Sequence, residues 1–313
     1  MDDGSTDGSS ERCVEYARQD SRVVVLHQKN GGICNARNAA LKIARGEYIA
    51  FSDHDDEYLP GLLENTYNRA KHDNADIVKF CKKEYVIING TTVRTKGTTL
   101  EDNTYSATDI KQHFFDFLNG KVFECVWDAL FRREFMMENN ITFDEEYKTG
   151  GEDIDIIARV MTKAKVFSTM KEHYYEHYIR AGFSTSAKFN ISKLESNKKL
   201  AQRILQAVID MGINLNEHKS EFVYQTMFTL VNASTNMLAN PQCAMTESEK
   251  LSYISSLKSE PCITDWFFKV PSYSVFKISK KVGLSYFLFK RGLYKAMLLM
   301  FSLRKRQVES KAK

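Results

Sequence analysis

The chain has 313 residues, 43% of them hydrophobic and 12% aromatic, which is enough for a folded core and excludes a disordered or low-complexity polypeptide. Its net charge of +4 is unevenly divided: from Thr264 onward twelve Lys/Arg face two acids, giving +10 there and −6 on the first 263 residues. Six scattered cysteines without a CxxC pair exclude a zinc ribbon and argue against a disulfide framework, and no signal-peptide pattern opens the sequence, so a reducing, cytoplasmic setting is expected.

In chain order, Asp2-Asp3-Gly4-Ser5-Thr6-Asp7-Gly8-Ser9 is a turn, and Ser9 to Gln19 reads as a short helix. Arg22-Val23-Val24-Val25-Leu26-His27 is short, apolar and β-branched, so a strand is expected. A helix from Ile33 to Ala44 follows, then a strand, Glu47-Tyr48-Ile49-Ala50-Phe51, ending in a second acidic cluster, Asp53-His54-Asp55-Asp56. Pro60 to His72 predicts a helix and Ala75 to Phe80 a strand; residues 81–105 read as a β-excursion with Asn89-Gly90 as a hairpin turn. Further helices are expected over Ala107–Leu118, Glu152–Ala164, Ile191–Met211 and about Lys219–Leu238. Strands alternating with helices of this length imply an α/β domain with a mostly parallel sheet.

Carboxylates crowded at the end of a buried strand repel one another unless a cation lies between them. Hard oxygen ligands suit Mg2+ or Mn2+ bridging a diphosphate, although a solvated turn accounts for an Asp cluster equally well. The opening turn approaches a calcium loop, but its twelfth position, where a bidentate Glu is required, is Val14.

Several segments in this order resemble the family-2 glycosyltransferases of the GT-A fold: the Asp3–Ser9 turn, Asn30-Gly31-Gly32 with Ala36-Arg37-Asn38, and Gly46 to Asp56 with Pro60. Trp127 with Leu130, Gly151-Glu152-Asp153, and Tyr174 to Arg180 with Ser184 and Ser186 complete the set, which covers roughly residues 1–190. The resemblance implies an inverting, metal-dependent transfer from a nucleotide-diphosphate sugar, with a uridine nucleotide expected, to a saccharide acceptor. It assigns Asp153 as general base with Glu152 beside it, and Asp3, Arg37, Asp53, Arg180 and Ser184 to the nucleotide-sugar. Asp55, or Asp56 if the register shifts, would hold the metal, with His173 or His177 assisting, and Trp127 would stack on the acceptor. Each assignment has a plain alternative: Asp3 in a turn, Arg37 on a solvated helix face, Asp153 as a helix cap, Trp127 in the core. Members of the family normally carry a strand, a helix and a strand before the opening turn, so the resemblance implies an N-terminally truncated domain. On that expectation the alternative is an inactive remnant that binds sugars or partner proteins.

Three regions are expected: residues 1–190, a helical extension over 191–263, and a basic tail over 264–313. The tail interleaves Leu284-Ser285-Tyr286-Phe287-Leu288-Phe289 and Ala296 to Phe301 with Lys290, Arg291 and Lys295, and ends in Arg304-Lys305-Arg306. It is too apolar for a nucleic-acid arm, and its charges leave no run of about 18 residues able to span a bilayer. Two readings remain: a helix lying on an anionic membrane surface at the inner face of the cell membrane, or a packing helix. The first would bring the enzyme to a lipid-linked acceptor, as in bacterial surface polysaccharide synthesis.

Overall fold

The computed structural model describes the backbone of residues 1–312 apart from Asn89, Phe123, Glu124, Thr149 and residues 181–188, and leaves out side chains at 120, 121 and 305–312 as well. Ser184 and Ser186, and the Asn89 of the expected hairpin turn, therefore lie outside the described residues.

Helices α1 (Ser9–Gln19) and α2 (Ile33–Ile43) precede strands β1 (Tyr48–Ala50) and β2 (Glu57–Tyr58) and helix α3 (Leu62–Asp73). Then come β3 (Ile77–Ile88), β4 (Thr91–Gly97), β5 (Asn103–Ser106) and the short helices α4 (Ala107–Gln112) and α5 (Phe114–Asp116). Strand β6 (Ala129–Arg132), helices α6 (Arg133–Glu138) and α7 (Glu152–Met161), and the long strand β7 (Val166–Arg180) complete the sheet region. Beyond it are helices α8 (Lys193–Asp210), α9 (Lys219–Thr226), α10 (Ala233–Leu238), α11 (Glu247–Ser256), α12 (Ser272–Ile278), α13 (Lys280–Lys290) and α14 (Tyr294–Ala312).

The α/β class is as expected, but the sheet is mixed rather than mostly parallel. Its order is β1-β6-β3-β7-β2, with β4 added to β3 and β5 to β7, and among the described residues β3–β7 is the one hydrogen-bonded strand pair that is parallel. The α3 crossover does deliver β3 in the same direction as β1. Strand β6 then inserts between them, antiparallel to both, and removes the expected parallel neighbour contact. The β3–β7 pair is the spine: β6 and β5 flank its first half, β4 and β2 its second.

The expected strand over 22–27 does not form. Its pairing is limited to one bridge between Asp2 and His27, and Val23 and Val24 stay exposed, because a strand needs a neighbour along its whole length to satisfy its ladder. The expected Ala107–Leu118 helix breaks at His113 into α4 and α5 and then opens into a π turn over Phe117–Lys121. The Lys219–Leu238 helix likewise contains a π segment, Met227–Asn232. A Ser106–Asp109 capping box starts α4 and a Thr246–Glu249 box starts α11, each satisfying otherwise orphaned N–H groups.

The apolar core is continuous from the sheet into the C-terminal helices. The basic tail over 264–313 folds into three α-helices, α12, α13 and α14, rather than one, with Gly292 (φ +71°) at the break between the last two. Phe267, Tyr286, Phe289 and Met297 are fully buried, so one side of the tail packs on the molecule itself. Leu284, Leu293, Leu299 and Leu303 remain exposed. Among the described residues no helix is long and apolar enough to cross a membrane.

Candidate active site

The acids of the opening turn organise the chain around themselves. The Asp2 carboxylate accepts the Ser5 N–H at 2.9 Å and pairs with His27 Nδ1 at 2.9 Å, bonds that hold its carboxyl well below the usual range. Asp3 accepts the N–H groups of Gly31 (2.8 Å) and Gly32 (2.9 Å) and the Gln28 amide (2.6 Å). Asp3, expected at the nucleotide, thus pins the Asn30-Gly31-Gly32 turn that leads into α2. Gly4 (φ +82°) allows the approach, since a Cβ there would stand 3.0 Å from the Asn30 nitrogen.

Arg37, one turn into α2, gathers the acids that the sequence assigns to separate tasks. Its guanidinium donates to Asp153 Oδ1 at 2.9 Å and to Asp53 Oδ1 at 3.0 Å, and Nη1 lies 3.9 Å from Glu152 Oε1. The side chain is only 10% exposed, and its guanidinium carbon lies 5.1 Å from the Phe143 ring centroid and 6.0 Å from that of Phe51. Three carboxylates against one cation, partly out of water, cannot all ionise freely. Burial, and then the Glu152 and Asp53 charges against the opposing pull of Arg37, raises the Asp153 carboxyl to about 7. A carboxylate poised there can accept a proton near neutral pH.

The turn that presents Glu152 and Asp153 requires glycine. Gly151 caps α7 at φ +103°, and a Cβ on it would meet the buried Tyr147 ring at 3.1 Å. Neither acid takes the side-chain capping role that would explain it structurally: the N-cap is Gly151, and Glu152 Oε2 is buried with no hydrogen-bond partner. Negative charge in this first turn still suits the helix dipole.

Sequence reasoning passed over the residue that anchors this helix. Asp155 is fully buried and accepts from Arg159 Nε (2.9 Å) and Nη2 (2.7 Å), from Arg203 Nε (2.8 Å) and from the Tyr147 hydroxyl (3.4 Å). Arg203 belongs to α8, so the helical extension is fastened directly beneath the Glu152-Asp153 turn. The available signal was the Asp155–Arg159 spacing of four on a helix; nothing in the sequence linked it to Arg203.

The second acidic cluster separates into three roles. Asp53 keeps 30% exposure beside Arg37, while Asp55 is 53% exposed, with Arg180 Nη1 3.0 Å from its carbonyl and 3.9 Å from its carboxylate. Asp56, the other metal candidate, is enclosed: its carboxylate accepts from the Tyr175 hydroxyl, His177 Nδ1 and the Tyr178 N–H, each at 2.9 Å. Those hydrogen bonds hold its carboxyl low against the opposing effect of burial. With both oxygens engaged, Asp56 locks the β2 side of the loop to β7 and is not presented as a ligand. His54 and His173 are exposed, and His177 serves Asp56.

Among the described residues no group of three or more His, Cys, Asp or Glu converges as a closed metal cage. The donor set fits a divalent cation of the open kind: Asp55 offers an accessible carboxylate, as Mg2+ sites held by one or two carboxylates and completed by substrate phosphates require.

Trp127 does not face solvent. It is 4% exposed, with Tyr175 stacked at 4.4 Å and His177 at 4.9 Å, and Lys82 Nζ 4.6 Å from its ring centroid. Beside it lies a second unforeseen cluster: Lys79 is ion-paired with Asp128, both buried, and Lys82 Nζ stands 3.6 Å from both Asp128 and Glu84. Its signal was a lysine inside the apolar strand Ile77-Val78-Lys79-Phe80. Burial pulls the Lys79 ammonium below its ordinary value.

A model of glycosyl transferase family 2 matches residues 1–139. A cholesterol galactosyltransferase of Borreliella burgdorferi is 34% identical over 207 residues, 63% of this chain and 55% of that protein. A poly(ribitol-phosphate) beta-glucosyltransferase of Bacillus spizizenii is 33% identical over 183 residues, 58% of this chain and 27% of that protein. The chain therefore spans about half, or less, of the length of these curated relatives. The crystal structure of S. aureus TarS 1–349 in complex with UDP-GlcNAc aligns with a TM-score of 0.64 at 20% identity, covering 98% of this chain and 81% of that one. That likeness is one of fold, the α/β GT-A arrangement.

Proposed function

From the premise that this chain belongs to glycosyl transferase family 2 through residues 1–139, we propose that it moves a sugar from a nucleotide-diphosphate donor, a uridine diphosphate sugar, to a saccharide acceptor with inversion. The single observation that carries this reading is the meeting of Asp53, Glu152 and Asp153 around the buried Arg37. It brings a donor-side acid and a carboxylate able to accept a proton near neutral pH to one point.

In the proposed step the acceptor hydroxyl oxygen forms a bond to the anomeric carbon as the bond from that carbon to the diphosphate oxygen breaks. The electron pair leaves with the nucleoside diphosphate, and the hydroxyl proton passes to the Asp153 carboxylate. Glu152 sits beside the base and keeps the site anionic. Asp55 would hold Mg2+ or Mn2+, which when bound neutralises charge on the departing diphosphate, while Asp53 faces the nucleotide-sugar. Arg180, beside Asp55, adds a cation on the same side.

The acceptor is proposed to be lipid-linked, in assembly of a bacterial surface polysaccharide, with the protein on the inner face of the cell membrane. Support comes from the tail, where Leu284, Leu293, Leu299 and Leu303 are exposed in a segment of net charge +10. The experiment is a screen of nucleotide sugars with lipid-linked and soluble saccharides, reading nucleoside diphosphate release. Release that depends on both donor and acceptor supports the proposal; no release from any pair refutes it.

A further inference from the structure

We propose that Arg37 is a positioning residue that couples the donor side of the site to the base, by sharing one guanidinium between Asp53 and Asp153. This inference rests on the glycosyl-transfer reading above and assigns Arg37 a role other than contact with the nucleotide.

The geometry is that of a fixed bridge. Arg37 rises from α2, Asp53 follows β1, and Asp153 stands in the first turn of α7, so three separate elements meet at one cation. The bonds run at 2.9 Å to Asp153 and 3.0 Å to Asp53 from different guanidinium nitrogens. Contact with Phe143 and Phe51 and an exposure of 10% restrict the side chain, so it has little freedom to swing toward a ligand. A planar guanidinium can hold two carboxylates in one geometry, which a lysine cannot.

The charged groups facing Asp153 are Arg37 from α2, Glu152 beside it on α7, and Asp53 after β1. Of these, Arg37 favours its ionised form and the two carboxylates oppose it. When a donor engages Asp53, that carboxylate turns its charge to the donor, and the share of Arg37 left to Asp153 grows. The base is then more fully ionised with donor bound than without it. Donor binding near neutral pH therefore releases a proton from Asp153, and the base becomes active once the sugar to be transferred is in place.

The test uses the intact chain and uridine diphosphate with Mg2+ as the probe. Binding is followed by calorimetry at pH 7 in two buffers of different ionisation enthalpy, which counts protons released independently of turnover. The wild type should release a proton fraction that Asp153→Asn abolishes. Arg37→Gln should bind the probe within about twofold of wild type yet release no proton. Its kcat should fall about 10²-fold with KM for the donor little changed, and the acid limb of its pH profile should move up by roughly 1–3 pH units. Arg37→Lys should restore part of the proton release and part of kcat, and it carries the same test if the Gln variant does not fold. Loss of probe affinity equal to the loss of kcat would make Arg37 a donor contact and overturn the proposal. Unchanged proton release in Arg37→Gln would overturn it as well. If the wild type binds no uridine nucleotide, the glycosyl-transfer reading fails first and this inference fails with it.

Discussion

Arg203 of α8 donates from Nε to Asp155 Oδ1 over 2.8 Å, tying the helical extension to the helix that carries Glu152 and Asp153. Asp155 is fully buried, and Arg159 on its own helix supplies the other charged donors. Removing Arg203 takes from this buried carboxylate one of its two guanidinium partners and leaves Oδ1, among the described residues, with only the long Tyr147 bond.

Arg203→Ala should therefore destabilise the protein by about 1–3 kcal/mol, read as a lower midpoint in urea. Arg203→Lys should recover part of that loss. An unchanged midpoint in Arg203→Ala would mean that Arg159 alone satisfies Asp155.

Asp55→Ala should lower turnover by roughly 100-fold or more, since several kcal/mol of charge stabilisation on the leaving diphosphate are at stake. The fold should survive, because Asp55 is exposed at a loop and bonds to its neighbours chiefly through its backbone. Asp56→Ala should act differently, loosening the loop from β7 and lowering stability. If a chelator leaves the wild-type rate unchanged, the metal assignment is wrong.

Much of the candidate site was legible in the sequence, because its acids stand at the ends of expected strands and helices. The opening turn, the cluster after β1 and the Gly151-Glu152-Asp153 turn all mark element ends that pattern reasoning finds. Their division of labour was not legible. Asp55 and Asp56 are adjacent in sequence, yet one faces solvent and the other is enclosed by Tyr175, His177 and Tyr178, contacts made more than one hundred residues away. The sheet was misread for a similar reason. β6 enters between β1 and β3 from a distance of some fifty residues or more, and no local propensity encodes a neighbour. Trp127 was placed at the acceptor on resemblance, whereas its ring stacks on β7. The 22–27 segment has the composition of a strand and forms only a bridge, since pairing depends on what lies alongside.

The pH dependence follows from the raised Asp153 carboxyl. Its folded value, about 7, lies above the ordinary 3.8, so the fold favours the protonated form and the ionised form costs stability as pH rises between those values. Activity moves the opposite way, because a base must be ionised. The donor-side kcat/KM should rise with pH through an apparent value near 7. Asp153→Asn should raise the thermal midpoint relative to wild type at pH 8 and lose that advantage at pH 4. Equal midpoints at both values would mean that Asp153 ionises without cost.

The tail should bind vesicles containing anionic lipid without crossing them. Each basic residue near such a surface contributes about 1 kcal/mol, and the exposed leucines add apolar contact. Co-sedimentation should weaken as salt is raised. Replacing Leu299 and Leu303 by Ser, which leaves the buried face of α14 intact, should reduce it further. Binding that ignores both changes would leave the tail as a packing element only.

The most direct test of glycosyl transfer at this site compares wild type with Asp153→Asn in one assay, following nucleoside diphosphate release from a uridine diphosphate sugar with Mn2+ and a saccharide acceptor. The wild type should turn over. Asp153→Asn should lose about 10²-fold or more of the rate while binding the donor as tightly as before. Retained turnover in Asp153→Asn, or a loss of donor affinity as large as the loss of rate, would contradict the assignment of Asp153 as the base.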